Sequence, residues 1–522
     1  MSDSILSIIP PLIAILMVLI TKRVLLSLGV GILFAAFFVA NYQIGETLSL
    51  IIQAFVRVFV EDGGLNTWNI YIILFLFLLG IITSFVSMMG GTRAFGDWMI
   101  LRVKTRVGAQ IMTIVLGFAL FIDDYFNSLT VGQVARPVTD KHRISRAKLA
   151  YIVDSTAAPI CVIAPLSSWG AYILGLIGTV FMTHNIVDYS ALSAFITMIP
   201  MNYYVWSAIG LVFILAIRQA DFGAMKKHEL HALETGDVTF QQQKTETQQQ
   251  EEKSSAIGKI SDLLIPIIML FIGTIGLIFT TGYIALAPGE RSIINILGEA
   301  DVSLSLFLGG LIAVFITFFM SIRHIKANQL EKKDFSIGIF NGLKAMLSAV
   351  IILIFAWAIT DLIDQLGTGT YLANIVKQSN IPFAILPFII FIMAGIIAFS
   401  TGTSWGAFAL LLPIAGQIAA STNIDLILPM LAAVLAGAVF GDHCSPISDT
   451  TILSSTGSSC NHIDHVMTQL PYAIVAAVIA GLGYVVLGFT ENVYFGLITV
   501  IIGLFIVYLL LGKTKLMPNN DR

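Results

Sequence analysis

Charge is scarce in this chain. Only 11% of its 522 residues are charged and 57% are hydrophobic, whereas a soluble domain carries roughly 25% charged residues. A wholly water-exposed surface is excluded, and a polytopic membrane protein surrounded by lipid is expected. Cysteine is almost absent: Cys161, Cys444 and Cys460 are too few for a disulfide framework. With His443, His462 and His465 they lack the paired spacing of a zinc site. No Gly-rich phosphate loop, nucleophile elbow or metalloprotease helix occurs, so an enzyme is not expected, and no organic cofactor is called for. A net charge of -3 without a basic, aromatic-laced patch argues against a nucleic-acid partner. Residues Met1–Ser4 carry no positive charge, unlike the start of a cleaved signal peptide. Ile5 to Ile20 therefore reads as a retained first span.

What the chain does have is long apolar runs. At about 20 residues per crossing, spans fall near 4–21, 24–41, 69–89, 197–217, 262–283, 302–322, 344–366, 470–489 and 493–512. Stretches 46–60, 92–104 and 335–343 look amphipathic and interfacial. The run around Phe121-Ile-Asp-Asp-Tyr-Phe-Asn-Ser128 is different. It is acidic at its centre and basic on both flanks, with Arg102, Lys104 and Arg106 before it and Arg136, Lys141 and Arg143 after it. Cationic flanks belong on the cytoplasmic side, so 106–136 reads as a hairpin that enters and returns on one face. Non-helical backbone and charge survive at membrane depth only where they line a cavity. A second hairpin is expected at 383–420, and Pro159 and Pro446 mark interrupted helices at 148–180 and 425–457.

The expected fold is an all-α polytopic membrane protein with inverted structural repeats, about 11 transmembrane helices, two re-entrant hairpins and two interrupted helices. A first membrane repeat covers 1–217. A Gln-rich, aperiodic segment at 218–260 reads as a disordered cytoplasmic linker. A second repeat covers 261–489, and 490–522 add a C-terminal helix and tail. Short echoes support the repeat: Leu166-Ser-Ser-Trp-Gly170 against Leu453-Ser-Ser-Thr-Gly457, Asp154…Pro159 against Asp442…Pro446, and Gly117…Phe121 against Gly395…Phe399. Lys22, Arg23, the first hairpin's flanks, Lys226, Lys227, Arg323 to Lys333, Lys513 and Lys515 gather on one side. Only Arg57, Arg291 and Lys377 fall on the other. A multi-pass cell-membrane protein with its N-terminus outside and C-terminus in the cytoplasm is expected.

Four breaks should converge near the midplane. They supply Asp123, Asp124, Asn127 and Ser128; Asp154, Ser155 and Thr156; Ser400, Thr401, Thr403 and Ser404; and Asp442, His443, Ser445, Ser448, Asp449 and Thr450. Carboxylate, hydroxyl and amide oxygens suit a small hard cation, and sodium is assigned to Asp154, Asp442, Asn127 and Ser448. A buried carboxylate holds a proton or a metal ion but not both well, so Asp154, Asp442 and Asp449 are candidates for proton coupling. A buried Asp can equally lock a helix break, and Ser and Thr in spans commonly bond back to their own backbone. Trp169, Trp357 and Trp405 read first as packing groups.

Gly441-Asp-His-Cys-Ser-Pro-Ile-Ser-Asp-Thr-Thr451 resembles the G-D-x-x-S-P-x-S-D-T-T signature of the NhaC-type sodium/proton antiporter family, within the ion transporter superfamily. The segment Cys460 to Tyr472 and the Phe121–Ser128 run resemble one subgroup of it. The resemblance implies paired hairpins and interrupted helices forming the site, elevator-type movement against a scaffold, and a homodimer. It implies exchange of sodium, or another small monovalent cation, for protons. The alternative is a sodium- or proton-coupled carrier of an amino acid or small organic acid, since superfamily members with this design move such solutes.

Overall fold

The computed structural model describes residues 5–21, 23–61, 63–240, 257–288, 291–292, 295–296, 299–367, 371 and 382–511. Lys377, Lys513, Lys515 and the Gln-rich part of the linker lie outside the described residues. Hydrophobic runs fold as helices because lipid offers no partner for a free backbone N–H or C=O. In chain order they are α1 (Ile9–Thr21), α2 (Val24–Val39), α3 (Ile44–Arg57), α4 (Thr67–Met88), α5 (Gly91–Ile100), α6 (Arg106–Ala119), α7 (Asp124–Lys141), α8 (Arg146–Cys161), α9 (Ser168–Thr183), α10 (Ala191–Met198) and α11 (Tyr203–Arg218). There follow α12 (Gly223–Thr235), α13 (Ile260–Ala285), α14 (Val302–Lys326), α15 (Lys332–Gln365), α16 (Leu386–Thr401), α17 (Ser404–Thr422), α18 (Ile427–Cys444), α19 (Asp449–Gly457), α20 (His462–Thr490) and α21 (Val493–Leu511). Among the described residues one two-residue ladder, β1 (Val60–Glu61) with β2 (Gly64–Leu65), follows α3.

The fold class is as expected. Among the described residues, 10 helical stretches are long and apolar enough to cross a membrane. Both arms of the second hairpin are among them, whereas α6 and α7 are not. Around the centre, α4, α13, α14 and α15 pack side by side. At the α4–α15 crossing the backbones nearly touch: a Cβ on Gly80 would stand 2.2 Å from the Gly342 carbonyl oxygen. Small residues that let helices approach this closely are how packing, rather than the hydrophobic effect, joins helices in lipid.

Two sequence expectations are corrected. Residues 335–343 are no separate interfacial piece but the opening turns of the 34-residue α15. Residues 223–235 are no disordered linker but the docked helix α12. Its Glu229, 1% exposed, accepts the Ser145 N–H at 2.8 Å and pairs with Arg106 at the start of α6. Arg143 donates to the Leu233 carbonyl at 3.2 Å. The polar face of α12 thus closes over the base of the first hairpin. Nearby, buried Lys148 meets Asp221 at 2.5 Å, and Asp221 also accepts the Tyr472 hydroxyl at 2.6 Å. The sequence hid this because a short, largely polar helix looks like linker until its partner charges are known.

Candidate functional site

All four breaks are present. The first hairpin turns between α6 and α7, the second between α16 and α17, and the interrupted helices break between α8 and α9 and between α18 and α19. Each hairpin tip is stitched to a helix break. The Ser168 N–H donates to the Ile122 carbonyl at 2.8 Å, and the Asp449 N–H to the Gly402 carbonyl at 3.4 Å. Asp123 and Thr403 then occupy the same N-cap position of α7 and α17. Gly402 has φ +69, and a Cβ there would lie 2.3 Å from the Ile447 carbonyl oxygen, so both conformation and space require glycine.

These stitches set the true register of the repeat. Ser167–Ser168 at the start of α9 matches Ser448–Asp449 at the start of α19. The Leu166–Gly170 and Leu453–Gly457 echo therefore joins non-equivalent places. So does the pairing of Asp154 with Asp442: Asp154 sits in the body of α8 with Pro159 still inside the helix, whereas Asp442 is in the last turn of α18 with Pro446 in the break. A different echo is structurally meaningful. Ser168-Trp-Gly-Ala171 and Ser404-Trp-Gly-Ala407 open α9 and α17. The Ser168 hydroxyl donates to Asp123 Oδ2 and the Ser404 hydroxyl to Asp442 Oδ2, each at 2.9 Å. Their indoles meet edge to face, centroids 5.7 Å apart.

The carboxylates are unequally satisfied. Asp123 caps α7 by accepting the Phe126 N–H at 2.9 Å in addition to Ser168. Asp442 accepts from Ser448 at 2.6 Å as well as Ser404, and Ser448 shares a bond with Thr450. Asp154 is saturated: it receives Gln469 Nε2 at 2.5 Å and Thr451 and Ser454 hydroxyls at 3.3 Å, with His465 Nε2 3.4 Å away. Its neighbourhood continues through His443, whose ring nitrogens contact the Asp154 carbonyl at 3.2 Å and the Tyr204 hydroxyl at 3.1 Å. Asp449 accepts the Tyr125 hydroxyl at 3.1 Å.

Asp124 is the exception. Both its oxygens, with Asn127 Oδ1 and Ser128 Oγ, are buried and make no close hydrogen bond, the Trp169 indole N–H being the donor that lies beside Asp124, and all three residues are 0% exposed. Spacing of three and four residues puts them on one face of α7. The Asn127 amide nitrogen is meanwhile fixed, donating to the Gly117 and Leu120 carbonyls at the broken end of α6 at 2.6 and 3.2 Å, so its oxygen is aimed by the fold. An isolated buried carboxylate is too costly to persist bare. Such a face suits a proton or a small hard cation.

Other expected ligands have local duties. Thr156 bonds back to the Ile152 carbonyl at 2.8 Å, Ser400 to Ile396 at 2.8 Å and Thr401 to Ile397 at 3.0 Å. Ser445 accepts the Ile447 N–H at 3.4 Å, and Ser155 is buried in α8. Of the sodium quartet, Asp442 and Ser448 are joined directly, while Asp154 is spent on Gln469, Thr451 and Ser454. Among the described residues no three His, Cys, Asp or Glu side chains converge on a metal-binding point.

A cleft of about 440 Å³ reaches the tips, with Tyr125, Thr401, Thr403, Trp405, Asp449 and Arg23 on its walls. The α1–α2 turn enters here: a Cβ on Gly406 would fall 2.5 Å from Val24 Cγ2. Sequence reasoning took Arg23 only as an orienting charge and passed over Gln469 and Tyr125. The signals were available, since Gln469 lies four residues after His465 in an apolar span and Tyr125 directly follows the two acids of the first tip.

A model of the Na+/H+ antiporter family matches residues 160–489. The chain belongs to that family. It is 42% identical to an uncharacterized protein of Haemophilus influenzae over 98% of this chain and 96% of that one. A malate-2H(+)/Na(+)-lactate antiporter of Bacillus subtilis is 33% identical over 34% of this chain and 38% of its own. An arginine/ornithine antiporter of Halobacterium salinarum is 28% identical over 29% and 31%. This member of the Na+/H+ antiporter family is thus a multi-pass secondary antiporter and not an enzyme.

Proposed function

We propose that this antiporter exchanges sodium, or another small monovalent cation, for protons by alternating access, with Asp124 as the shared site. The observation that carries this reading is the convergence of buried oxygens from Asp124, Asn127 and Ser128 on one face of α7, with the Trp169 indole N–H as the neighbouring donor. The oxygens are hard donors suited to such an ion, and protonation of Asp124 would remove the charge that holds it. Competition for one carboxylate couples the two fluxes. Asp442, held by Ser404 and Ser448, is the second carboxylate of the cycle. Asp154 positions α8 against α19 and α20 instead of binding the ion. Tyr125 lines the cleft and adjoins Asp124 in sequence, so the first hairpin tip is the natural gate. The charge distribution favours the Arg23 side as cytoplasmic, which makes this conformation inward-open.

Purified protein in liposomes should dissipate an imposed pH gradient when sodium is added, and Asp124→Asn should abolish the response. Full activity in Asp124→Asn would exclude this site. A second reading, cation-coupled exchange of an organic solute, is favoured by the size of the cleft and by the names of two relatives.

A further inference from the structure

We propose that α5 and the turn after it form a docking surface for anionic phospholipid headgroups, set where this helix bridges the first hairpin and α13. The proposal does not depend on which ion or solute is carried. The helix lies between the end of α4 at Met88 and the start of α6 at Arg106, and it is too short to cross a bilayer. Its inner face is fixed by the protein. Gly91 and Gly96 are buried, and Phe95, Met99 and the following Val103 pack on the core. Both glycines mark close approaches. A Cβ on Gly91 would stand 2.5 Å from the Leu263 nitrogen of α13, and one on Gly96 would stand 2.6 Å from Val134 Cγ1 of α7. The helix is therefore held rigidly between two neighbours and presents its outer face as a preformed surface.

That outer face is cationic and apolar at once. Arg93, Arg102 and Lys104 are exposed there, and Asp97 is the one acid between Gly91 and Lys104. Lys259 adds a fourth exposed cation at the start of the helix, because a Cβ on the adjoining Gly258 would lie 2.3 Å from the Gly90 carbonyl oxygen. Among the described residues none of these four cations forms an ion pair. Between them Leu101 is 82% and Trp98 40% exposed, and the Arg102 guanidinium lies over the Trp98 ring, 5.0 Å from its centroid.

The two properties together select the occupant. A soluble phosphate would answer the cations but leave Leu101 in water. A neutral lipid would cover Leu101 and Trp98 but leave four cations facing a single acid. An anionic phospholipid does both. Its phosphate accepts from the guanidinium groups, its upper acyl region takes Leu101, and Trp98 sits at the boundary where indoles concentrate.

The test is thermal stabilisation of the detergent-purified full chain by phosphatidylglycerol and by phosphatidylcholine of the same acyl chains, with glycerol 3-phosphate as the soluble control. Phosphatidylglycerol should stabilise at lower concentration than phosphatidylcholine, and glycerol 3-phosphate should not stabilise. Combining Arg93→Gln, Arg102→Gln and Lys104→Gln should raise the half-maximal phosphatidylglycerol concentration roughly tenfold or more. Lys226→Gln with Lys227→Gln on α12 should leave it unchanged. A cooperative melt in phosphatidylcholine shows that the triple variant is folded; without one, Arg102→Gln alone is read for a severalfold shift. Equal stabilisation by the two lipids, an undiminished preference in the charge variant, or the same loss in the α12 variant overturns the proposal. Stabilisation by glycerol 3-phosphate overturns it as well and makes this a site for soluble anions.

Discussion

The two hairpin tips make one bond with donor and acceptor exchanged. At the first, the hairpin supplies the carboxylate, Asp123, and the interrupted helix supplies the hydroxyl, Ser168. At the second, the hairpin supplies Ser404 and the interrupted helix supplies Asp442, at the same 2.9 Å. The positions are not those the repeat equates, since Asp123 matches Thr403 and Ser168 matches Asp449, so each half builds its own carboxylate–hydroxyl bond between hairpin and interrupted helix. The position after the N-cap then differs most: Asp124 in the first hairpin, Ser404 in the second. Ser404 is used up in the stitch, and Asp124 is left over. A doubled fold therefore yields one spare carboxylate rather than two, and the spare one is what a transported ion can contest.

The strongest test of that contrast is to neutralise each neighbour in turn. Asp124→Asn should abolish sodium-dependent proton flux in liposomes yet leave thermal stability equal or higher, because it removes an unpaired buried charge. Asp123→Asn should instead lower the unfolding temperature, since it weakens a cap and a stitch. If both variants lost stability alike, Asp124 would be structural.

The hairpins also differ at their bases, because only the first is clamped by α12. Glu229→Gln leaves Arg106 buried without its counter-charge. It should cost about 3–5 kcal/mol, the range for breaking one side of a buried ion pair, measured as a fall in thermal midpoint or in denaturant resistance. A neutral result would mean that α12 merely rests on the hairpin.

Next in size, Ser168→Ala and Ser404→Ala should each lose about 1.5–3 kcal/mol, typical of a hydrogen bond to a charged group. The two losses should match within error if the exchanged bonds are equivalent, and a large inequality in thermal stability would break the symmetry argument.

Much of this was legible from the residues. Asp123-Asp124 in an apolar run with basic flanks located the first hairpin, and Pro159 and Pro446 located the interrupted helices. Less was legible about partners. Asp154 looked like an ion ligand because a buried Asp in a span is expensive, but that cost is met by Gln469, Thr451 and Ser454, which only packing brings to it. The Leu-Ser-Ser-x-Gly echo misled for a related reason: short identities do not carry register, whereas the Ser168 and Asp449 stitches do.

By itself the sequence determined that the chain lies in lipid, where it breaks, and which breaks hold acid. Those are properties of hydropathy and local backbone chemistry, and each can be read one segment at a time. Only the tertiary structure decided which acid makes no close hydrogen bond, because hydrogen-bond satisfaction is settled between segments far apart in the chain. It also carried Arg23 from the role of an orienting charge to the wall of a cleft, which no single run of residues specifies.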